Sequence, residues 1–137
     1  MRLWHYKLIR YLPRQQLLGQ WRECCLIARN IKEKCTPGHV LVNRVMDYPM
    51  EHFVTYTASV LTEMVNRGYH PDPENFARWI GADCWERHWK SLDDLFLCWH
   101  NGRYLRQCLA NLQEKADCGA LTVKEWKRIT ERFPEWE

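Results

Sequence analysis

Glu23 is the sole carboxylate between Met1 and Lys32, in a stretch otherwise rich in cations. Arg22 stands beside it. Gln16, Gly19 and Glu23 are spaced i, i+3 and i+7, so on a helix they line one edge. Gln15, Arg22 and Arg29, at seven-residue spacing, line the adjoining edge. An isolated acid among guanidinium groups is either half of a surface ion pair or an acid/base group in a site for a polyanion. Gly19 costs about 1 kcal/mol relative to alanine inside a helix. Its presence implies close approach of a neighbouring backbone, as in helix packing, or of a ligand.

The chain's own α-amine is a possible partner for that acid. From Pro13 to Glu23 a helix rises about 15 Å, whereas the twelve residues before Pro13 reach up to about 40 Å when extended. An arm of that length can fold back and bring Met1 beside Glu23, which the geometry permits without requiring. An α-amine has a reference pKa of about 7.7–8.0, against about 10.4 for lysine. At neutral pH its unprotonated fraction is therefore roughly several hundred times that of lysine, which suits attack on the anomeric carbon of a sugar.

Those groups must be positioned by helices. Apolar Leu17, Leu18, Trp21, Cys24, Cys25 and Ala28 recur at three- and four-residue intervals, which predicts a helix from Pro13 to about Asn30. Lys34 to His39, with Pro37-Gly38, breaks it. A second helix is expected from Pro49 to Arg67, with Gly68 closing it. His70-Pro71-Asp72-Pro73 reads as a stiff connection. Shorter helices are expected near Glu74–Ile80 and Ser91–Cys98, and a longer one near Asn101–Ala116. A last helix starts at Thr122, where Thr122 and Glu125 have capping-box spacing. No stretch alternates convincingly as a strand. The reading is all-α: one compact helical domain over residues 1–137, with an N-terminal arm packed back against the first long helix.

Length and composition agree with one domain. The 137 residues are 46% hydrophobic and 27% charged, as in a globular chain. No apolar run suffices to span a membrane, and no secretory signal is evident. Seven cysteines, two of them adjacent, make a poor disulfide framework and suit reduced thiols in a cytosol. The net charge of +3 is uneven. Nine basic residues up to Arg44, Arg14 and Arg29 among them, face only Glu23 and Glu33, which leaves the remainder acidic. A basic end suggests an anionic partner, nucleic acid first, with a solubilising surface as the alternative.

Two other constellations compete. Cys24, Cys25, Cys35 and His39 offer enough ligands for zinc. However, adjacent cysteines on a helix splay by about 100°, and there is no Cys-x2-Cys knuckle. We read Cys24 and Cys25 as core residues and expect no metal. Trp79, Trp85, Trp89 and Trp99 accompany His88 and His100 in the second half. Trp85 and Trp89 share a helix face, the spacing of core, with a platform for unpaired bases as the alternative. Arg103, Arg106 and Lys115 either extend a phosphate track or solvate a helix.

The opening Met1-Arg2-Leu3-Trp4-His5, then Leu12-Pro13-Arg14-Gln15-Gln16-Leu17-Leu18-Gly19-Gln20 and Arg22-Glu23-Cys24-Cys25, resembles bacterial members of the pyrimidine-dimer glycosylase (endonuclease V) family. Gly38-His39-Val40, Arg67-Gly68-Tyr69, Tyr104-Leu105 through Glu114-Lys115, and Phe133-Pro134-Glu135-Trp136 add shorter likenesses.

The resemblance implies a DNA repair enzyme with a particular chemistry. The N-terminal amine, here of Met1, attacks the anomeric carbon, displaces the base and forms an imine. Glu23 stabilises the cationic intermediate and assists β-elimination, with no metal or other cofactor. Arg2 and Arg22 hold phosphates, and Arg14, Gln15, Gln16 and Arg29 join the DNA contacts. The substrate implied is damaged double-stranded DNA, probed by a monomer in the bacterial cytosol or nucleoid. Alternatives are the same chemistry on another damaged or modified base, or a non-catalytic nucleic-acid-binding protein. Departures from the phage member include Arg2 where that enzyme has its nucleophilic threonine. Position 16 is glutamine in place of histidine, and Leu26 stands where a functional arginine is expected, with Arg29 one turn on as its substitute. Trp21 occupies a position expected to be histidine in closer relatives.

Overall fold

The computed structural model describes residues 1–88 and 91–136, all helix, turn and loop, with no strand among them. The helices are α1 (Arg14–Lys34), α2 (Met50–Asn66), α3 (Glu74–Ile80), α4 (Ala82–Trp85), α5 (Gly102–Asp117) and α6 (Val123–Arg132). Short 3-10 turns cover Tyr6–Tyr11, Asn43–Asp47, Leu92–Asp94 and Pro134–Trp136. The expected all-α class is what the chain adopts.

α2 is the centre of the molecule. Every residue from His52 to Thr57 is buried, followed by Val60 and Met64, so its N-terminal half is enclosed on all sides. A helix surrounded in this way has no solvent stripe to spare. α1 packs on α2 and α3 through Leu17, Trp21, Cys24, Ile27 and Ala28. α5 adds Cys108, Leu109 and Leu112 to the same continuous core, and α6 adds Ile129.

The N-terminal arm is itself core. Leu3, Trp4, Leu8, Ile9 and Leu12 are buried, each contributing roughly 1.5–3 kcal/mol of hydrophobic stabilisation. Periodicity did not show the 3-10 turn over Tyr6–Tyr11, because its apolar residues pack from several directions. Arg67 fixes the end of the arm: its guanidinium donates to the Leu12 and Arg10 carbonyl oxygens at 2.8 and 3.2 Å while pairing with Glu63 at 3.0 Å.

The helix ends follow the expected chemistry. After α2, the N–H of Gly68 (φ +90°) reaches the Val65 carbonyl oxygen and that of Tyr69 the Met64 carbonyl oxygen, both at 2.9 Å. This is the double bond that a left-handed glycine permits. At α6 the capping box forms: Glu125 N–H donates to Thr122 Oγ1 at 3.1 Å, and Thr122 N–H to Glu125 Oε1 at 2.9 Å. The second oxygen of Glu125 also accepts the Arg14 N–H at 3.0 Å, so one carboxylate serves the start of α1 as well as of α6.

The expected helix over Ser91–Cys98 is a correction. Only Leu92–Asp94 is helical, as a single 3-10 turn, and the chain continues in turns in which Phe96 and Cys98 take positive φ of 51° and 74°. Phe96 is fully buried, and its N–H goes to His52 Nδ1 at 3.0 Å rather than to a carbonyl one turn back. Tertiary burial overrides local helix preference here. Trp85 does pack inward, on Phe76 at 5.3 Å, whereas Trp89 lies outside the described residues.

Candidate active site

Gln20 sits within the buried stripe of α1 and reads the backbone of the arm. Its Oε1 accepts the Trp4 N–H at 2.7 Å, and its Nε2 donates to the Arg2 carbonyl oxygen at 3.0 Å. The Tyr56 hydroxyl from α2 donates to the Trp4 carbonyl oxygen at 2.5 Å and lies 2.9 Å from Gln20 Oε1. From α5, the Tyr104 hydroxyl donates to the Leu3 carbonyl oxygen at 2.6 Å. Three helices thus hold residues 2–4 by main-chain groups. A buried main-chain group left unpaired costs about 1–3 kcal/mol, so this lattice fixes the arm's register.

Glu23 lies one turn beyond Gln20, half-buried. Its Oε2 accepts from the Arg2 N–H and from Gln20 Nε2, both at 3.4 Å. It belongs to no ion pair among the described residues. Successive backbone nitrogens are at most about 3.7 Å apart, so the Met1 nitrogen lies within about 7 Å of that oxygen. The fold-back read from chain length therefore occurs.

The interior around the arm is held neutral. Burial raises the Tyr56, Tyr104 and Cys108 acid groups above their ordinary values, so all three stay protonated. Burial, aided by the Lys7 charge, holds His5 down at about 4. His100, stacked on it at 5.1 Å, is also lowered by burial first and then by His5 and Arg44. Against this neutral background stand Arg2, Glu23 and the chain terminus. The Arg2 guanidinium lies 5.2 Å over the Trp4 ring and donates to Cys108 Sγ at 3.8 Å.

The other expected residues spread along α1. Arg22 is exposed, and its Nη2 is the nearest atom, at 3.9 Å, to where a Cβ on Gly19 would lie. Among the described residues no neighbouring backbone comes within 4 Å of that position, so close helix packing does not account for Gly19, and the Arg22 guanidinium lies over it instead. Arg14, Gln15 and Gln16 lie at the start of α1 and line a hollow of about 250 Å³ against α6. Gln16 Oε1 is buried with no hydrogen-bond partner among the described residues. Arg29 is at the other end, paired with Glu33 at 3.3 Å and stacked over Trp79 at 5.6 Å. Cys24 is core and Cys25 half-buried; no cluster of three or more metal-ligating side chains occurs among the described residues.

Sequence reasoning missed two parts. Gln20 had a signal, since a carboxamide in an apolar stripe needs buried partners. The second part is an open groove of about 590 Å³, which Arg2 shares with Arg44, Trp99, Arg103 and Tyr104. Arg44 stacks over Trp99 at 5.8 Å and donates to the Cys98 carbonyl oxygen at 3.4 Å. The long separation of these residues in the chain hid the groove.

A terminal amine, one carboxylate and a groove bearing three guanidinium groups make a helical site suited to a polyanion. A sequence model of the family described as pyrimidine dimer DNA glycosylase matches residues 1–76, more than half the chain, and the chain belongs to that family. No curated protein and no solved structure matches it. The matched part carries the arm, α1, α2 and the start of α3. The family makes DNA the substrate. No helix among the described residues is long and apolar enough to cross a membrane.

Proposed function

We propose that the chain is a glycosylase with abasic-site lyase activity, acting as a monomer of one domain on cyclobutane pyrimidine dimers in duplex DNA of the bacterial cytosol. The Met1 nitrogen uses its lone pair to bond to C1′ of the damaged nucleotide. The C1′–N bond to the base breaks, and the base leaves with the electron pair. The sugar ring then opens at C1′–O4′, giving an imine with the amine. Loss of a C2′ proton expels the phosphate at C3′ and cuts the strand; water releases the amine. Glu23 balances the iminium charge and carries protons, its Oε1 making no protein hydrogen bond among the described residues. Arg2 and Arg22 hold flanking phosphates, with Arg14, Gln15, Gln16 and Arg29 extending the contact along α1.

The observation that carries this reading is the Arg2 N–H resting on Glu23, which ties the start of the chain to the one acid between Met1 and Lys32. Borohydride trapping on abasic-site DNA tests it. We expect a covalent adduct that vanishes when the Met1 amine is acetylated, and nicking of irradiated plasmid. An adduct that survives acetylation removes Met1 from the role. DNA binding without any adduct would support a binding protein, and nicking confined to other damage would redirect the chemistry to another lesion.

A further inference from the structure

The groove has an apolar rim that the chemistry above leaves unused. Val40 is 77% and Leu41 49% exposed, while the next residue, Val42, is fully buried. Two consecutive aliphatic side chains are thus held out where the chain could have tucked them in. The turn that carries them is closed by three hydrogen bonds to His39. The His39 carbonyl oxygen accepts the N–H groups of Val42 and Asn43 at 3.0 and 2.9 Å, and His39 Nδ1 accepts the Leu41 N–H at 3.2 Å.

The turn is also seated on the catalytic helix. Asn30 Nδ2 donates to the Pro37 carbonyl oxygen at 3.0 Å, and a Cβ on Gly38 (φ +92°) would fall 2.8 Å from that nitrogen. Only glycine allows the seat. Asn30 lies seven residues from Glu23, about 10 Å along α1 and on the same edge. Both aliphatic side chains line the groove that Arg2, Arg44 and Arg103 also line.

A protruding apolar pair flanked by three guanidinium groups matches a partner that is anionic outside and apolar inside. A base-stacked duplex has this character, and apolar side chains are known to enter base steps where DNA is bent. We propose that Val40 and Leu41 form a wedge that enters the base stack beside the lesion, while Arg44 and Arg103 hold the phosphates of the strand it displaces. This rests on the reading of the site as one for damaged duplex DNA. The wedge explains how the amine gains access to a sugar that stacking would otherwise cover.

The test compares the wild-type chain with a Val40→Ser/Leu41→Ser variant, whose changes lie at exposed positions. The first readout is 2-aminopurine placed beside an uncleavable tetrahydrofuran abasic analogue in duplex DNA. Wild-type binding should raise its fluorescence severalfold, and the variant, at saturating protein, should not. The second is the rate of borohydride trapping on duplex relative to single-stranded abasic DNA. Because a single strand has little stack to open, that ratio should fall at least tenfold in the variant and recover in Val40→Leu/Leu41→Met. An unchanged ratio, or fluorescence that rises equally with the variant, overturns the wedge. So does a variant that loses binding to anionic vesicles while still unstacking the probe. If the wild-type chain traps neither substrate, the imine reading fails, and the fluorescence arm still decides the wedge.

Discussion

Replacing Gln20 with methionine keeps the volume and removes the carboxamide that holds the arm. The Trp4 N–H, now satisfied at 2.7 Å in a buried setting, loses its acceptor, and the Arg2 carbonyl oxygen loses a 3.0 Å bond. Each unsatisfied group costs about 1–3 kcal/mol, and the Arg2 carbonyl, being partly accessible, sits at the low end. The expected loss is about 2–4 kcal/mol. For a chain of this length that lowers Tm by roughly 8–15 °C. Thermal unfolding followed by circular dichroism measures it, and borohydride trapping on the same samples below the transition measures the site. The trapping rate should fall at least tenfold even where the protein is fully folded, because residues 1–3 lose their register against Glu23. A Gln20→Met variant that melts within about 2 °C of wild type would show that the carboxamide does not hold the arm, and the account of how the amine is positioned would fail with it.

Glu23→Gln keeps the shape and removes the charge; trapping and strand cleavage should fall by a hundredfold or more, with Tm little changed because no ion pair is broken. A melting loss as large as that of Gln20→Met would place Glu23 among the structural residues. Arg22→Ala should weaken DNA binding uniformly across sequences and lower the slope of log K against log salt by about one; an unchanged slope removes it from the phosphates. His5 is held near 4 in the folded chain, below its unfolded value, so the unfolded state takes up protons first as the medium is acidified. Stability should therefore decline from pH 7 towards pH 4, and His5→Asn should flatten that decline in urea melts; parallel curves would refute the assignment. Burial alone would raise the Glu125 acid group, but the hydrogen bonds from Thr122 and Arg14 outweigh it and lower it overall. Its contribution is complete above its unfolded value and is lost as pH falls through the folded one. The deficit of Glu125→Gln should be at most about 1 kcal/mol at pH 7, because solvent screens the charge and glutamine can also close the box, and should shrink towards pH 3.

Much of the frame was readable from the chain because it is local. The stripe of α1, the glycine closing α2, the Glu74–Ile80 helix and the Thr122–Glu125 box each depend on residues within one or two turns. Chain length permitted the fold-back of Met1 without requiring it. What escaped depends on residues far apart. Gln20 looks like one more polar residue until Trp4 and Tyr56 arrive, and Arg44 and Arg103 become neighbours only when α5 folds over the turn at residues 39–43. The failure over Ser91–Cys98 has the same cause, since His52, on another helix, captures the Phe96 N–H. Arg29, which the family resemblance made a DNA contact, sits in a pair with Glu33 over Trp79, which any phosphate would have to compete with.

The family match ends at residue 76, but the clasp on the first residues does not. Tyr104 grips Leu3 from the opposite side, and Glu125 closes the entry to α1 from the C-terminal helix. Severing the chain after its recognisable part would therefore release the Leu3 carbonyl, strip α6 from the Tyr6–Tyr11 turn and leave the α1 entry open. The later half of the polypeptide works as a vice around the earlier half, and an amine with a fixed address exists only while both jaws are present.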